Sequence, residues 1–236
     1  MENEHSHGCL VCGEELVYDG VPQERECVVC HRRFISDCAC PHGHYVCDAC
    51  HEKGGMTMAR AVCLEAKDRD PLAILLRLMD LPDVHMHGPE HHILVGSALL
   101  TAYHNCTGKL DLPTALTEMA RRGQQIPGGV CGFWGCCGAA ISAGMFMSIV
   151  TGSTPLKEKE WSMCNRLTAQ CLTRIAELGG PRCCKRDSYT AVKTAVEFTA
   201  RELGVQMEMP KKIVCRFYPQ NAQCRGVRCL YNPHHQ

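Results

Sequence analysis

Eight of the chain's 20 cysteines stand before residue 51 as four close pairs, Cys9/Cys12, Cys27/Cys30, Cys38/Cys40 and Cys47/Cys50. This pattern constrains the fold more than any other. A segment so short buries too little apolar surface to fold alone, and thiolate pairs at this spacing supply a core by holding metal. A tetrahedral structural zinc takes four ligands, so eight cysteines provide for two zinc ions with no coordination position left open for catalysis. A disulfide framework is the alternative. The N-terminal residues lack the charged-then-apolar pattern of a secretory leader, and 13 histidines beside many cysteines standing alone suit a reducing cytoplasm.

Two pairings are open. Sequential pairing makes Cys9, Cys12, Cys27 and Cys30 one zinc ribbon and leaves Cys38, Cys40, Cys47 and Cys50 for the second ion. Interleaved pairing joins Cys27/Cys30 to Cys47/Cys50 across a hairpin around Arg32–Ser36, with Cys47 and Cys50 at a helix start as in treble-clef fingers. Cys9/Cys12 then joins Cys38/Cys40. His42, His44 and His51 are candidates to replace a cysteine, although such a histidine more often hydrogen-bonds a sulfur or the backbone.

At 236 residues and 45% apolar content, the chain holds one ordinary core plus small satellite modules. Three parts follow: a metal module over 1–54 ending at Gly54-Gly55, a helical part over 55–204, and a cysteine-bearing tail over 205–236. Their net charges are −6, +2 and +4. Zinc held by four thiolates is itself a dianion, so the module repels phosphate backbones, against the nucleic-acid role common for zinc fingers. The longest apolar stretch, Gly138 to Val150, has 13 residues, too few to span a bilayer.

The middle part is punctuated as six helices. Asp70-Pro71 opens one through Met79, Gly88-Pro89-Glu90 one through about His104, and Asp111 caps one that Gly123 stops. The others cover Cys137–Val150, Glu158–Leu178, and a segment capped by Asp187 that runs to Leu203. Strands belong only to short hairpins of the metal module. The expected fold is therefore mostly α: a zinc-ribbon or treble-clef-like module, an all-α helical bundle and a cysteine-rich C-terminal tail.

Two constellations carry chemistry. Cys136 and Cys137 follow Cys131 in a glycine-rich loop and fall at a helix N-terminus. Cys183 and Cys184 precede another helix beside Arg182, Lys185 and Arg186. Helix dipoles and cations there favour thiolates, so Cys131, Cys136, Cys137, Cys183 and Cys184 are expected to hold an iron–sulfur cluster or to act as thiol nucleophiles. Cys63, Cys164 and Cys171 read as core packing. The second constellation, Asp83 to His92, with four histidines and two carboxylates, offers His87, His91 and His92 as metal ligands or His91 as an acid/base group, the alternative being a polar helix start whose histidines satisfy caps. In the tail, Cys215, Cys224, Cys229 and His234 form a candidate third zinc site. Phe217, Tyr218 and Tyr231 beside Arg216, Arg225 and Arg228 could contact single-stranded RNA.

Residues 88–200 resemble a cysteine-rich helical family with a glycine-rich C…GC…G…C…C signature. The likeness lies in the helix from His91 to Leu100, the loop Gly128–Gly138 and the Cys183-Cys184 turn. That resemblance implies redox activity, and this chain has histidines where the family has its first cysteine. The whole chain is similar to an uncharacterised cysteine-rich family of archaea and strict anaerobes, sharing Gly43–His51 and His87–His92. That likeness implies anaerobic metal biochemistry beside methyltransferase-like or radical-chemistry partners. The expected function is a metal-binding protein of anaerobic metabolism, with structural zinc and a helical domain for a cluster, thiol redox or sulfur transfer. A zinc-dependent adaptor recruiting a methyltransferase-like or redox partner is the alternative, and RNA binding through the tail a third.

Overall fold

In a computed structural model of the chain, the described residues are 9, 11, 12, 14–28 and 30–235, without the side chains of 19, 20, 39, 49 and 51–55. The strands described are confined to the metal module, as its hairpin pattern predicts. β1 (Val17–Glu26) pairs antiparallel with β2 (Arg33–Ala39), Val17 opposite Ala39 and Glu26 opposite Arg33, with the register shifting between Tyr18 and Gln23.

Helix α1 (Asp48–Glu65) begins right after Cys47 and runs on across Gly54-Gly55, where the sequence places the end of the module. Its far half drives Ala59 and Cys63 into the main core, so one rod ties the metal module to the helical part. Each interior glycine costs about 1 kcal/mol relative to alanine, which packing at both ends offsets.

Helix α2 (Pro71–Met79) starts as its sequence predicts. Asp70 Oδ1 accepts from Leu72 N at 2.8 Å and Ala73 N at 3.3 Å, and Pro71 takes the first turn, where no backbone donor is needed. α3 (His91–Thr107) ends at Gly108, whose φ of +64° provides a left-handed stop. α4 (Leu112–Gly123) is capped by Asp111, and a short α5 (Val130–Phe133) follows. α6 (Gly138–Thr151), α7 (Glu158–Leu178) and α8 (Cys184–Leu203) complete the bundle.

α3 is buried over most of its length and packs against α1, α2, α4, α6 and α8, as a helix apolar all round must. Small residues bring α6 against it, and Ser142 Oγ accepts from Gly96 N at 2.9 Å. Each fully buried leucine or isoleucine here, such as Ile93, Leu94 and Leu99, is worth about 1.5–3 kcal/mol over exposure.

Residues 204–235 form no regular element beyond the 3₁₀ turns Tyr218–Gln220 and Gly226–Arg228. Even so, they bury Met207, Ile213, Phe217 and Tyr231 in the main core, and Tyr231 Oη lies 2.9 Å from Thr190 Oγ1 of α8. Among the described residues no helix is long and apolar enough to cross a membrane.

Candidate metal centre

Two four-residue groups bring their ligand atoms within 4.8 Å of one another: Cys9, Cys12, Cys40 and His44, and Cys27, Cys30, Cys47 and Cys50. The arrangement is interleaved. In the first group Cys12 Sγ lies 3.4 Å from Cys40 Sγ, and His44 Nδ1 lies 3.7 Å from both Cys9 Sγ and Cys40 Sγ. In the second, Cys30 Sγ and Cys47 Sγ are 3.7 Å apart. Bonds of about 2.3 Å to a tetrahedral metal place sulfurs roughly 3.8 Å apart, so both groups fit one ion each.

Local backbone builds these groups. Val11 N and His42 N donate to the sulfurs of Cys9 and Cys40 at 3.4 and 3.3 Å, and Cys47 N donates to Cys27 Sγ at 3.3 Å. The turn Cys40–His44 is closed by Gly43 N to Cys40 O at 2.8 Å, with Gly43 at φ +80°, and it folds His44 back onto Cys40. Cys47 caps α1 and Cys50 sits in its first turn, where the helix dipole favours negative sulfur.

Cys38 is in neither group. It is still within the β-ladder, opposite Tyr18, whose hydroxyl meets its thiol, and Cys40 has already left the strand. The expected Cys9/Cys12/Cys38/Cys40 set is therefore corrected to one containing His44. The short Cys-Pro-His-Gly-His run, with a glycine before the second histidine, is the sequence signal for that ligand. His42 is exposed beside it, and the side chain of His51 lies outside the described residues.

The helical part holds a cavity of about 1180 Å³, with Cys131, Cys137, His87, Arg182, Arg186 and Asp187 on its walls and Tyr18 of β1 at its roof. Arg182 Nη1 donates to Tyr18 Oη at 2.8 Å, its guanidinium stacks 4.9 Å from that ring's centre, and Asp48 accepts from Gly128 N at 3.1 Å. The starts of α6 and α8 meet at Asp187: Cys137 Sγ lies 4.0 Å from Asp187 Oδ2, and Cys183 N lies 3.5 Å from the same oxygen. Asp187 also accepts from Arg186 Nε at 2.9 Å, both side chains being buried. This pairing is why Asp187 is not the cap of α8, as its sequence position suggests. Cys183 caps it, its sulfur accepting from Arg186 N at 3.5 Å.

The expected activation of Cys137, Cys183 and Cys184 does not occur. Burial outweighs dipole and cations, pushing Cys137 up to about 12 and Cys183 up to about 11, and it raises Cys184 as well. Cys136 follows the left-handed Gly135 and does not line this cavity, unlike Cys131 and Cys137.

The three histidines do not converge. Adjacent residues on a helix point about 100° apart. His91 Nδ1 donates to Gly88 O at 3.2 Å, whereas His92 packs its ring on Gly138 with Nδ1 3.2 Å from Ile126 O. Burial lowers the pKa of both. His87 stands apart in the preceding loop, with Nε2 3.2 Å from Asn221 Oδ1 and Nδ1 accepting from Cys184 N at 3.5 Å. The tail departs from its expected ligand set too. His234 is exposed with its ring edge-on to Tyr218, and Cys183 instead joins Cys215, Cys224 and Cys229 around a small second cavity. Phe217 and Tyr231, two of the rings expected to stack on RNA, are buried in the core. Cys63 and Cys171 are fully buried packing residues, as expected.

These features define a mostly helical, cysteine-rich protein with two groups that could hold metal ions. Residues 59–232 match the family described as a family of unknown function (DUF5714), and the chain belongs to that family. The match begins inside α1, after both ligand groups. No curated protein and no solved structure matches the chain.

Proposed function

We propose that this is a zinc-built thiol protein of anaerobic metabolism, in which two structural zinc ions shape the N-terminal module and the cavity beneath it is the site of chemistry. The observation that carries the reading is that cavity. Two thiols, a buried carboxylate and two guanidinium groups converge on about 1180 Å³, roofed by the hairpin. Three-cysteine-one-histidine and four-cysteine sets at tetrahedral spacing suit zinc, and their closed geometry supports a scaffold.

Within the cavity, Arg182 pairs with an anionic group of the substrate and Cys137 is the reacting thiol. In sulfur transfer its proton passes to Asp187 Oδ2 as Cys137 Sγ attacks the outer sulfur of a persulfide. The donor's S–S bond breaks, its thiolate leaves and takes up that proton, and Cys137 carries the persulfide. In thiol redox, Cys137 attacks a substrate disulfide and Cys131 resolves the mixed disulfide, so two thiols are oxidised and two are released. A second reading, an adaptor for a methyltransferase-like partner, is favoured by Val17 and Ile35, apolar yet 51% and 70% exposed on the hairpin.

Protein purified without oxygen, treated with polysulfide and mapped by mass spectrometry tests the proposal. One extra sulfur on Cys137, or a Cys131–Cys137 disulfide, is expected, and either should vanish in Cys137→Ser. Unmodified Cys131 and Cys137 would reject it. Loss of a co-purifying partner in Ile35→Asp, with those thiols unreactive, would favour the adaptor.

A further inference from the structure

The tail's three cysteines come together with a cysteine 32 or more positions away in sequence. Cys183 at the start of α8 and Cys215, Cys224 and Cys229 of the tail line one small cavity of about 20 Å³, apart from the two metal-ligand groups of the hairpin module. Cys215 is close enough to Cys224 and Cys229, and Cys183 to Cys215, for their charges to act on one another.

The sulfurs are dressed as ligands are. Arg186 N and Asn221 Nδ2 donate to Cys183 Sγ at 3.5 and 3.4 Å, and Gly226 N donates to Cys224 Sγ at 3.4 Å, a turn that the +57° φ of Gly226 permits. Phe217 N donates to Cys215. Lys185, Arg186 and Arg225 stand on the same walls. Cations around four sulfurs, with N–H donors on three of them, match an anionic metal–thiolate centre.

The spacing chooses the kind of centre. In the hairpin module the four ligand atoms of each group lie within 4.8 Å, closed to the size of one ion. No three of these four sulfurs do so, and a space of about 20 Å³ stays open among the residues around them. Sulfurs about 2.3 Å from a single zinc would close that space. A tail over 30 residues long without regular structure also needs an organiser, since such loops are uncommon in compact folds unless they serve a site.

We infer that Cys183, Cys215, Cys224 and Cys229 hold a cubane iron–sulfur cluster, a site independent of the chemistry proposed for Cys137. Met86, Arg186, Asn221 and Gln223 line both cavities, so the cluster adjoins the large one.

Reconstitution of the full chain with ferrous iron and sulfide under anaerobic conditions tests the inference. About four iron and four sulfide per chain, with brown colour, are expected beside the zinc. The cluster should survive in Cys131→Ser/Cys137→Ser and be lost in Cys215→Ser/Cys229→Ser. Cys224→Ser, on a partly exposed loop, is the milder variant and should shift the reduced cluster's paramagnetic resonance signal. A wild-type chain that takes up a third zinc but no iron overturns the inference. So does a cluster unchanged in the Cys215→Ser/Cys229→Ser and Cys224→Ser variants.

Discussion

Cys38 and Cys40 are two positions apart and chemically identical, yet only Cys40 meets Cys9, Cys12 and His44. Cys38 is held by the strand against Tyr18. On the proposed two-zinc reading, Cys40→Ser should lose about one zinc per chain in native mass spectrometry, the share of one four-ligand site, and Cys38→Ser should keep both. Equal zinc loss in the two would contradict the ligand set. Gly138 is as particular. An added methyl there would lie 2.0 Å from the buried His92 ring, so Gly138→Ala should cost about 1–3 kcal/mol in chemical denaturation. His91 and His92 add a pH dependence. Both have folded-state values below the ordinary 6.5, so the unfolded chain binds protons that the folded one refuses. Stability should hold above about pH 6.5 and fall toward the folded values at up to about 1.4 kcal/mol per pH unit for each histidine. Urea titrations across that range should show a shallower slope for His91→Gln, and an unchanged slope would mean that His91 is not refused its proton.

At the scale of elements, the clearest successes of the sequence are the capped helices. Asp70-Pro71 and Asp111 stand where local chemistry alone decides the helix start, because the side chain satisfies backbone donors two or three residues on. Asp70→Ala should lower stability by about 1 kcal/mol. The failures share a cause. Asp187 looks like a cap, but its carboxylate is drawn inward to Arg186 and toward Cys137, and Cys183 caps instead. Gly54-Gly55 looks like a boundary, yet α1 passes through it, with Cys47 and Cys50 of a candidate metal group at one end and the core at the other. The hairpin's grip on the helical part runs through Tyr18 and Arg182. In Arg182→Ala, backbone amides of residues 17–26 and 128–135 should exchange faster with solvent while zinc content stays the same. Unchanged exchange would show that the roof needs no such anchor.

For the whole molecule, the proposed metal sites and the apolar core around α3 would stabilise different parts, and a chelator should separate them. Chelation is expected to open residues 14–40 to protease while most helical circular dichroism persists, since Leu, Ile, Met and Ala burial does not depend on metal. Loss of all helical signal would show instead that the core depends on the module. The sequence by itself determined that a cysteine-rich module able to hold metal precedes a helical bundle, where most helices start and stop, and that the strands lie in the hairpin. Each of those follows from chemistry within a few neighbouring residues. Only the tertiary structure decided that His44 replaces Cys38, that His91 and His92 diverge, and that burial undoes the activation expected of Cys137. It also brought Cys183 to the tail cysteines. Those outcomes depend on side-chain direction, on desolvation and on contacts between residues far apart in the chain, none of which is written in the spacing of a single segment.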